Sequence, residues 1–325
     1  MKIGIVGAAG FLGTSLTKLL RQENISYIGF DIKTDNNSCV YFDIEKCSKA
    51  SDLHGCDTII NLAAVHRDDV RPLSRYDDVN VEGARKICEA SKANNIKRIV
   101  FTSSVAIYGF APPNTDERGK ANFFNDYGRT KHKAEQVYLD WQSEDPVSRT
   151  LVIIRPTVIF GPGNRGNVYN LLKQINSKKF AMFGNGSNIK SMAYVENVSS
   201  FIKHSLSFDK GIHIYNYVDK PDLSMNELVT NTRAILFHKE DVGLRLPKFL
   251  GIAIGWIFDV AAFFAMKKLP ISSIRVKKFM ATTQFTTSLG ETGFHPPYTL
   301  KEGLEKTLSY EFLEDNSDKP TFETE

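Results

Sequence analysis

The chain has 325 residues, of which 42% are hydrophobic and 24% are charged, and its net charge at neutral pH is +4. This size allows one large α/β domain or two unequal ones, and the composition is that of an ordinary globular protein. A charge this small gives no reason to expect a nucleic-acid partner. The four cysteines show no C-x-x-C spacing, so no metal site is predicted.

An apolar strand, predicted over Lys2–Val6, is followed by the glycine-rich turn GAAGFLG and an apolar-periodic helix over Leu12–Arg21. The first glycine is expected to make a tight turn, the second to let the backbone approach a diphosphate, and the third to let the helix lie close to the strand. The helix N-terminus offers N–H groups and a partial positive charge to phosphates. The predicted cofactor contacts of this turn are Gly7, Gly10, Phe11, Leu12 and Gly13.

A second predicted strand, Tyr27–Asp31, ends in an acidic residue 18 residues after Gly13. A carboxylate at this place can bind the ribose hydroxyls of adenosine and repels a 2′-phosphate, so NAD is the predicted cofactor rather than NADP. Asp43 follows another short predicted strand. It is placed either to contact the adenine or to cap the helix that follows, and the residues alone leave both interpretations open.

Strand and helix signals alternate as far as residue 160, which predicts a Rossmann-like α/β fold with a doubly wound parallel sheet. We expect an NAD-binding domain over 1–160, a smaller and mostly helical substrate-binding portion over 161–313, and a disordered acidic tail over 314–325. Strands within 189–218 are expected to return to the first domain. The other predicted strands are Thr58–Asn61, Arg98–Thr102, Leu151–Arg155, Ile189–Val198 and His213–Val218. The other predicted helices are Val81–Ala93 and Thr130–Gln142.

Two segments carry residues suited to proton transfer. Ser103 and Ser104 end a predicted strand, and Tyr127 and Lys131 are four positions apart, so they share one face of a helix. An ammonium group near a phenol lowers the pKa of the phenol, which can then exchange protons with a sugar hydroxyl near neutral pH. Taken alone, Y-x-x-x-K also fits an ordinary surface helix; the nucleotide turn and the strand-end serine favour catalysis.

These motifs resemble the extended short-chain dehydrogenase/reductase family, in its branch of NAD-dependent sugar epimerases and dehydratases. The resemblance extends to about residue 310 and rests on GAAGFLG, NLAA, DVNVEG, SSVAIYG, YGRTK and RPTVIFGPG. It implies that Tyr127 is the base, that Lys131 holds the nicotinamide ribose, and that Ser104 hydrogen-bonds the reacting oxygen. It also implies a cofactor-side place for Ala63 and a structural or cofactor-side role for Asn80.

The same resemblance separates two reactions of the branch. Dehydratases carry an acidic pair directly after the catalytic Ser or Thr, whereas this chain has Val105 and Ala106 there. Oxidation or epimerisation is therefore expected. In an epimerase Tyr127 would take the carbon-4 hydroxyl proton while NAD takes the hydride, and the hydride would return to the other face of the 4-keto sugar, so NAD can stay bound.

Five further stretches resemble bacterial 4-epimerases of lipid-linked N-acetylglucosamine, which form N-acetylgalactosamine in O-antigen and lipopolysaccharide biosynthesis. The stretches are AVHRDDV, RGNVYNLLKQI, KSMAYVENV, YNYVDKPDLSMNELV and RVKKFMATTQF. The same site could instead act on a soluble UDP-linked sugar or oxidise a sterol-like alcohol. A non-catalytic NAD-binding sensor or scaffold is a further alternative, but it would not need Tyr127 beside Lys131.

Three residues are predicted to contact the substrate. Lys190 occupies the neighbourhood where relatives place an arginine for a diphosphate, although a solvated surface lysine is an equal interpretation. Arg165 and Asn167 lie in the preceding Gly/Asn-rich loop. His66 and Arg67 follow the third strand and could face the sugar, but a lone histidine is more often structural.

An apolar segment, Phe249–Met266, contains Asp259 as its one charged residue. Between Arg245 and Lys278 the chain has seven basic residues against that single acid. An apolar helix with basic flanks suits the anionic surface of the inner membrane. We therefore expect a cytoplasmic protein held peripherally at that membrane, the alternative being a helix buried in the C-terminal portion or in a homodimer interface.

Overall fold

The computed structural model describes residues 2–34, 39–46, 53–67, 69–251, 253, 256 and 279–324. Its centre is a seven-stranded sheet in which every neighbouring pair is parallel. The strands of this sheet are β1 (Ile3–Val6), β2 (Tyr27–Asp31), β3 (Val40–Tyr41), β4 (Thr58–Asn61), β5 (Arg98–Thr102), β6 (Thr150–Pro156) and β11 (Gly211–Tyr217). Their order across the sheet is β11-β6-β5-β4-β1-β2-β3.

Six shorter strands form three separate pairs outside this sheet. They are β7 (Val158–Phe160) with β10 (Met192–Tyr194), β8 (Met182–Phe183) with β13 (Arg245–Leu246), and β9 (Ile189–Lys190) with β12 (Leu223–Ser224). The described α-helices are α1 (Phe11–Gln22), α2 (Ser74–Asp77), α3 (Gly83–Ala93), α4 (Asp126–Ser143), α5 (Asn167–Asn176), α6 (Val195–His204), α7 (Met225–Phe237) and α8 (Leu300–Leu308).

Both faces of the main sheet are covered, which explains why its central strands are apolar throughout. On one face Ile87 of α3 and Trp141 of α4 belong to a core with the inward side chains of β4 and β5. On the other face Leu16 of α1 and Phe201 of α6 form a second core with β1 and β6. The fold is the Rossmann-like, doubly wound α/β arrangement that the sequence predicts.

The strand order reverses between β1 and β4: from β1 the chain adds β2 and β3 on one side, and β4, β5, β6 and β11 then follow on the other side. Crevices outside the carboxyl ends of strands at such a point are the usual ligand sites of open α/β sheets. Gly7 follows β1 and Ala63 follows β4, and a Cβ on Gly7 would lie 2.8 Å from the backbone nitrogen of Ala63. The predicted cofactor turn therefore lies at the reversal.

A third core joins α5, α7 and α8 into a C-terminal portion, with Leu172, Leu228 and Leu304 buried together. One strand prediction here is wrong in part: the segment predicted as Ile189–Val198 forms the short strands β9 and β10 and then the start of α6. These two strands pair outside the main sheet, whereas β11 joins it alongside β6. Val195, Asn197 and Val198 are buried on one helical face instead of alternating.

The tail differs from the disorder that its acidic composition predicts. Phe322 forms a parallel bridge with Asn164, and its ring centroid lies 5.7 Å from that of Phe11. Backbone pairing and an aromatic contact fix this end of the chain. The predicted membrane segment, Phe249–Met266, lies mostly outside the described residues, and among the helices that are described none is long and apolar enough to cross a bilayer.

Candidate active site

The glycine turn has the shape of a phosphate cradle. Gly7 has a φ of +85°, which favours glycine, and a Cβ on Gly13 would lie 2.2 Å from the carbonyl oxygen of Gly7. Helix α1 begins after Gly10, which has no side chain to cap it. The N–H groups of Phe11 and Leu12, in the first turn of the helix, therefore have no side-chain cap and are available to a bound diphosphate.

Asp31 lies at the end of β2 and is tied to this turn. One carboxylate oxygen accepts the N–H of Ala9 at 2.9 Å, and the other accepts the N–H of Lys33 at 2.9 Å. The cradle and the adjacent carboxylate together fit the diphosphate and the adenosine ribose of NAD.

Asp43 makes local contacts with the turn that follows it. Its carboxylate accepts the N–H of Glu45 at 3.0 Å and pairs with Lys46 at 3.1 Å. This geometry is an Asx turn, and no helix begins there among the described residues, so capping of a helix stays a prediction. Contact with the adenine also stays a prediction.

Asn80 has a structural position beside the cofactor crevice. Its side-chain amide exchanges two hydrogen bonds of 2.9 Å with the backbone of Val65 and donates a third to Thr130 of α4. It thereby fastens the loop after β4 to helix α4, which carries the predicted catalytic residues.

Helix α4 presents both predicted catalytic residues. Asn125 caps it by accepting the N–H of Gly128 at 2.9 Å, so the helix begins at Asp126, four residues before the predicted start. Tyr127 is half-buried and lies in the first turn, whereas Lys131 is buried one turn later. Helical spacing places the two side chains on one face.

Ser104 lies against Tyr127. It ends the extended segment after β5 and caps a 3₁₀ turn, Val105–Tyr108, by accepting the N–H of Ala106 at 3.1 Å. The side chains of Ser104 and Tyr127 are hydrogen-bonded. The two residues are thus brought together, whereas Ser103, the alternative serine, has its hydroxyl buried among protein atoms.

The expected lowering of the pKa of Tyr127 by Lys131 is not found. Burial raises the pKa of Tyr127 to about 12, and the hydrogen bond with Ser104 opposes that rise. Burial also lowers the pKa of Lys131 to about 7, against the attraction of Glu135. Because the lysine is itself desolvated, it is a weaker source of positive charge than an exposed ammonium would be.

Two glycines hold the elements that carry Ser104 and Tyr127 at close range. A Cβ on Gly128, in the first turn of α4, would lie 2.4 Å from the carbonyl oxygen of Ala106. Gly109 has a φ of +60°, and a Cβ there would lie 2.0 Å from the carbonyl oxygen of Asn122. The turn that carries Ser104 and the helix that carries Tyr127 therefore meet backbone to backbone.

A buried polar network beneath the site was missed by the sequence reasoning. Arg155 of β6 donates to both carboxylate oxygens of Glu135 at 2.9 and 2.7 Å, and to the hydroxyl of Tyr108 at 2.7 Å. Tyr108 in turn donates to Asn216 at 2.8 Å. Glu135 follows Lys131 by four residues, so the spacing that paired Tyr127 with Lys131 could have found it.

The predicted substrate residues are placed differently from one another. Arg165 is paired with Glu311 at 2.6 Å and stacks on Tyr169 at 4.2 Å, so its guanidinium is engaged within the C-terminal portion. Asn167 is exposed at the first position of α5. Lys190 is half-buried on β9, and burial lowers its pKa to about 8.

His66 feels the charge of Lys131, the predicted catalytic lysine. The surrounding protein atoms lower its pKa, and the positive charge of Lys131 contributes to that lowering. Arg67, the next residue, pairs with Asp69 at 2.7 Å. Within the described ranges, no group of three or more His, Cys, Asp or Glu residues is arranged to hold a metal ion.

Comparisons with known proteins agree with this geometry. The profile of the NAD dependent epimerase/dehydratase family matches residues 3–217. The chain is 47% identical to N-acetyl-alpha-D-glucosaminyl-diphospho-ditrans,octacis-undecaprenol 4-epimerase of Escherichia coli O157:H7, with 99% of this chain and 98% of that protein aligned. It is 25% identical to UDP-glucose 4-epimerase of Vibrio cholerae, with 96% of each chain aligned.

Solved structures share the fold. UDP-N-acetylglucosamine 4-epimerase from Bacillus cereus superposes with a TM-score of 0.74 at 15% identity, covering 95% of this chain and 98% of that one. UDP-glucuronic acid 4-epimerase from Bacillus cereus, in complex with NAD, superposes with a TM-score of 0.71 at 20% identity and the same coverage of both chains. At these identities the likeness shows the fold.

Proposed function

Because the chain belongs to the NAD dependent epimerase/dehydratase family, we propose that it inverts carbon 4 of N-acetylglucosamine carried on undecaprenyl diphosphate. The product would be the N-acetylgalactosamine form, and the protein would be an isomerase of O-antigen and lipopolysaccharide biosynthesis. The observation that carries this proposal is the 47% identity, over 99% of the chain, to the Escherichia coli O157:H7 epimerase named for that lipid-linked sugar.

The cofactor is NAD, and the residues that fit it are the glycine turn and Asp31. The N–H groups at the start of α1 would bind the diphosphate, and the carboxylate of Asp31 would accept hydrogen bonds from the adenosine ribose. Lys131 would donate to the ribose on the nicotinamide side. When bound, NAD supplies a reversible hydride acceptor for carbon 4 of the sugar.

The chain itself handles the proton. In the proposed reaction Tyr127 takes the proton of the carbon-4 hydroxyl as the C–H bond is oxidised, and returns it when the carbonyl is reduced from the other face. Ser104 hydrogen-bonds Tyr127 and would also orient the sugar oxygen. Since burial raises the pKa of Tyr127 to about 12, the free protein holds this residue protonated at neutral pH. Positive charge close to the phenol is needed before it can act as the base.

A side-by-side assay tests the substrate. Purified protein is offered GlcNAc-diphospho-undecaprenol and UDP-GlcNAc, and the sugar released by acid is identified. We expect GalNAc from the lipid-linked sugar at a far higher kcat/KM than from the nucleotide sugar. Faster turnover of UDP-GlcNAc would establish the soluble-substrate alternative, and net accumulation of NADH would indicate a dehydrogenase. Absence of turnover with both would support a sensor.

We also propose that the protein docks peripherally on an anionic membrane. Exposed apolar side chains lie in and just before the apolar segment: Leu244 at 62%, Phe249 at 68% and Trp256 at 64%. Arg245 and Lys248 lie between them in sequence. A polyprenyl chain leaves a bilayer only at a cost of about 0.8 kcal/mol for each exposed methylene, so the enzyme has to reach its substrate at the surface.

Vesicle flotation tests the docking. The unaltered protein should bind vesicles that contain anionic lipid, and binding should weaken as salt is raised. Phe249→Ala with Trp256→Ala should reduce binding. The control is Val147→Ala, which trims a more exposed apolar side chain, at 78%, in the loop after α4. Equal binding by the double variant and the control would contradict the proposal, as would equal binding to neutral vesicles.

A further inference from the structure

The last residues of the chain lie on a loop beside the cofactor crevice. The N–H of Arg165 donates to the carbonyl of Phe322 at 2.9 Å, and the N–H of Phe322 donates to the carbonyl of Gly163 at 2.9 Å. The Thr324 hydroxyl donates to the side chain of Asn164 at 2.8 Å. This is a short parallel pairing between the tail and the loop that follows β7.

The loop has a shape that admits the tail. Gly163 has a φ of +83°, and a Cβ there would lie 3.3 Å from the carbonyl oxygen of Pro320. A Cβ on Gly166 would lie 2.5 Å from the hydroxyl of Thr324. Glu311 holds the same loop from below by accepting the N–H of Gly163 at 2.7 Å. The two glycines leave room for the tail, and the buried carboxylate of Glu311 fixes the loop on which the tail lies.

The tail then reaches the start of α1. The ring of Phe322 contacts Phe11, the first residue of α1, whose N–H groups face the proposed diphosphate site. The segment therefore runs from the loop after β7, where it is hydrogen-bonded to Gly163 and Arg165, to Phe11 at the start of α1.

We propose that residues 320–324 are a strap over the cofactor crevice and that Phe322 is a positioning residue, which holds Phe11 at the diphosphate cradle and slows the release of NAD. The inference rests on the proposed function in one respect: an epimerase regenerates NAD in each cycle and gains from keeping it bound. Cofactor release has to be preceded by separation of Phe322 from Phe11 and by loss of two backbone hydrogen bonds.

The test measures NAD release directly. NAD-loaded protein is desalted, and the dissociation rate is followed by trapping the released NAD with an excess of a dehydrogenase. Phe322→Ala, and a chain that ends at Asp318, should both release NAD about tenfold faster, because the apolar contact with Phe11 is lost. Phe322→Tyr keeps the ring and should restore slow release.

Two controls separate the strap from a general structural role. Thr321→Ala changes the neighbouring exposed residue and should leave the release rate unchanged. The urea midpoint of the NAD-free protein should be the same for Phe322→Ala and the unaltered chain. NAD should also protect the tail from proteolysis after Lys319. Unchanged NAD release by the truncated chain would overturn the proposal. A lower urea midpoint for Phe322→Ala would also overturn it, because general destabilisation would then explain the faster release. If the protein does not turn over the lipid-linked sugar, the measured rates of NAD release still decide whether the strap exists.

Discussion

The ammonium nitrogen of Lys131 lies 4.3 Å from the centre of the Phe101 ring. A charged group above an aromatic face is attracted by the ring, but here it is also removed from water. Burial lowers the pKa of Lys131 to about 7, while Glu135 acts in the opposite direction. The residue expected to hold the cofactor ribose is therefore costly to keep charged in the free protein.

Lys131→Met should stabilise the NAD-free protein at low pH. The folded pKa of about 7 lies below the ordinary lysine value, so between pH 7 and 10 the unfolded chain binds more protons. Stability of the unaltered protein should therefore rise over that window, whereas the variant should not show this rise. We expect the free energy of unfolding of the variant to exceed that of the unaltered protein by about 2–4 kcal/mol at pH 6. This difference should shrink by pH 9. Urea midpoints at both pH values measure it, and a constant difference would contradict it.

Tyr127→Phe should abolish proton exchange while leaving the fold intact. Removal of the hydroxyl should lower kcat by about 10²–10⁴-fold, with NAD binding unchanged. The matched control is Tyr138→Phe on the same helix, whose hydroxyl accepts a hydrogen bond from Asn61 at 2.8 Å. That variant should lose about 1 kcal/mol of stability and little turnover. If both variants turn over alike, Tyr127 is not the base.

Asp31→Asn should weaken the preference for NAD. The amide oxygen can still accept the N–H of Ala9, so the turn is preserved while the negative charge is lost. The repulsion of a 2′-phosphate then disappears, and the affinity for NADP should approach that for NAD. Titration with both cofactors at low salt measures the ratio. Asp31→Ala should give the same ratio with a less stable turn; an unchanged ratio in both variants would refute the role of Asp31.

Arg155→Met should be strongly destabilising. It leaves the carboxylate of Glu135 buried without the two hydrogen bonds of 2.9 and 2.7 Å that it now accepts. Breaking a buried pair in this way costs about 3–5 kcal/mol. Arg155→Met combined with Glu135→Gln should recover part of that loss, as a double-mutant cycle by urea unfolding would show. A double variant no more stable than the single one would contradict this account.

The sequence predicted well those parts of the fold that local patterns decide. Strands Tyr27–Asp31, Thr58–Asn61 and Arg98–Thr102 have their predicted bounds, since each is a short apolar run with a clear end. The shared helix of Tyr127 and Lys131 and the strand-end place of Ser104 were predicted because spacing along a helix and position at a strand end are both readable from the chain. Helix α4 begins earlier than its apolar pattern because Asn125 caps it.

Contacts between distant segments could not be read in this way. The partner of Arg165 is Glu311, which lies 146 positions away and is hidden from any local pattern. The acidic tail was assigned to disorder by composition, but the pairing of Phe322 with Asn164 is a long-range event. The predicted lowering of the pKa of Tyr127 was wrong for a related reason. Burial, which raises this pKa, depends on the whole fold, whereas the prediction considered the neighbouring cation alone.

The tight approach at Gly109 has a consequence for how such a chain can diversify. The N–H of Asn122 donates to the carbonyl of Ile107 at 2.9 Å, so residues 110–121 leave and re-enter the structure at one point. Lengthening a loop whose ends are already joined is cheap, at about 0.6 kcal/mol for each doubling. Extra residues can therefore enter this excursion away from Thr115 and Glu117, which are held by a bridge to Phe285 and by the N–H groups of Asn216 and Ser288, while the spacing of Ser104 and Tyr127 is inherited unchanged.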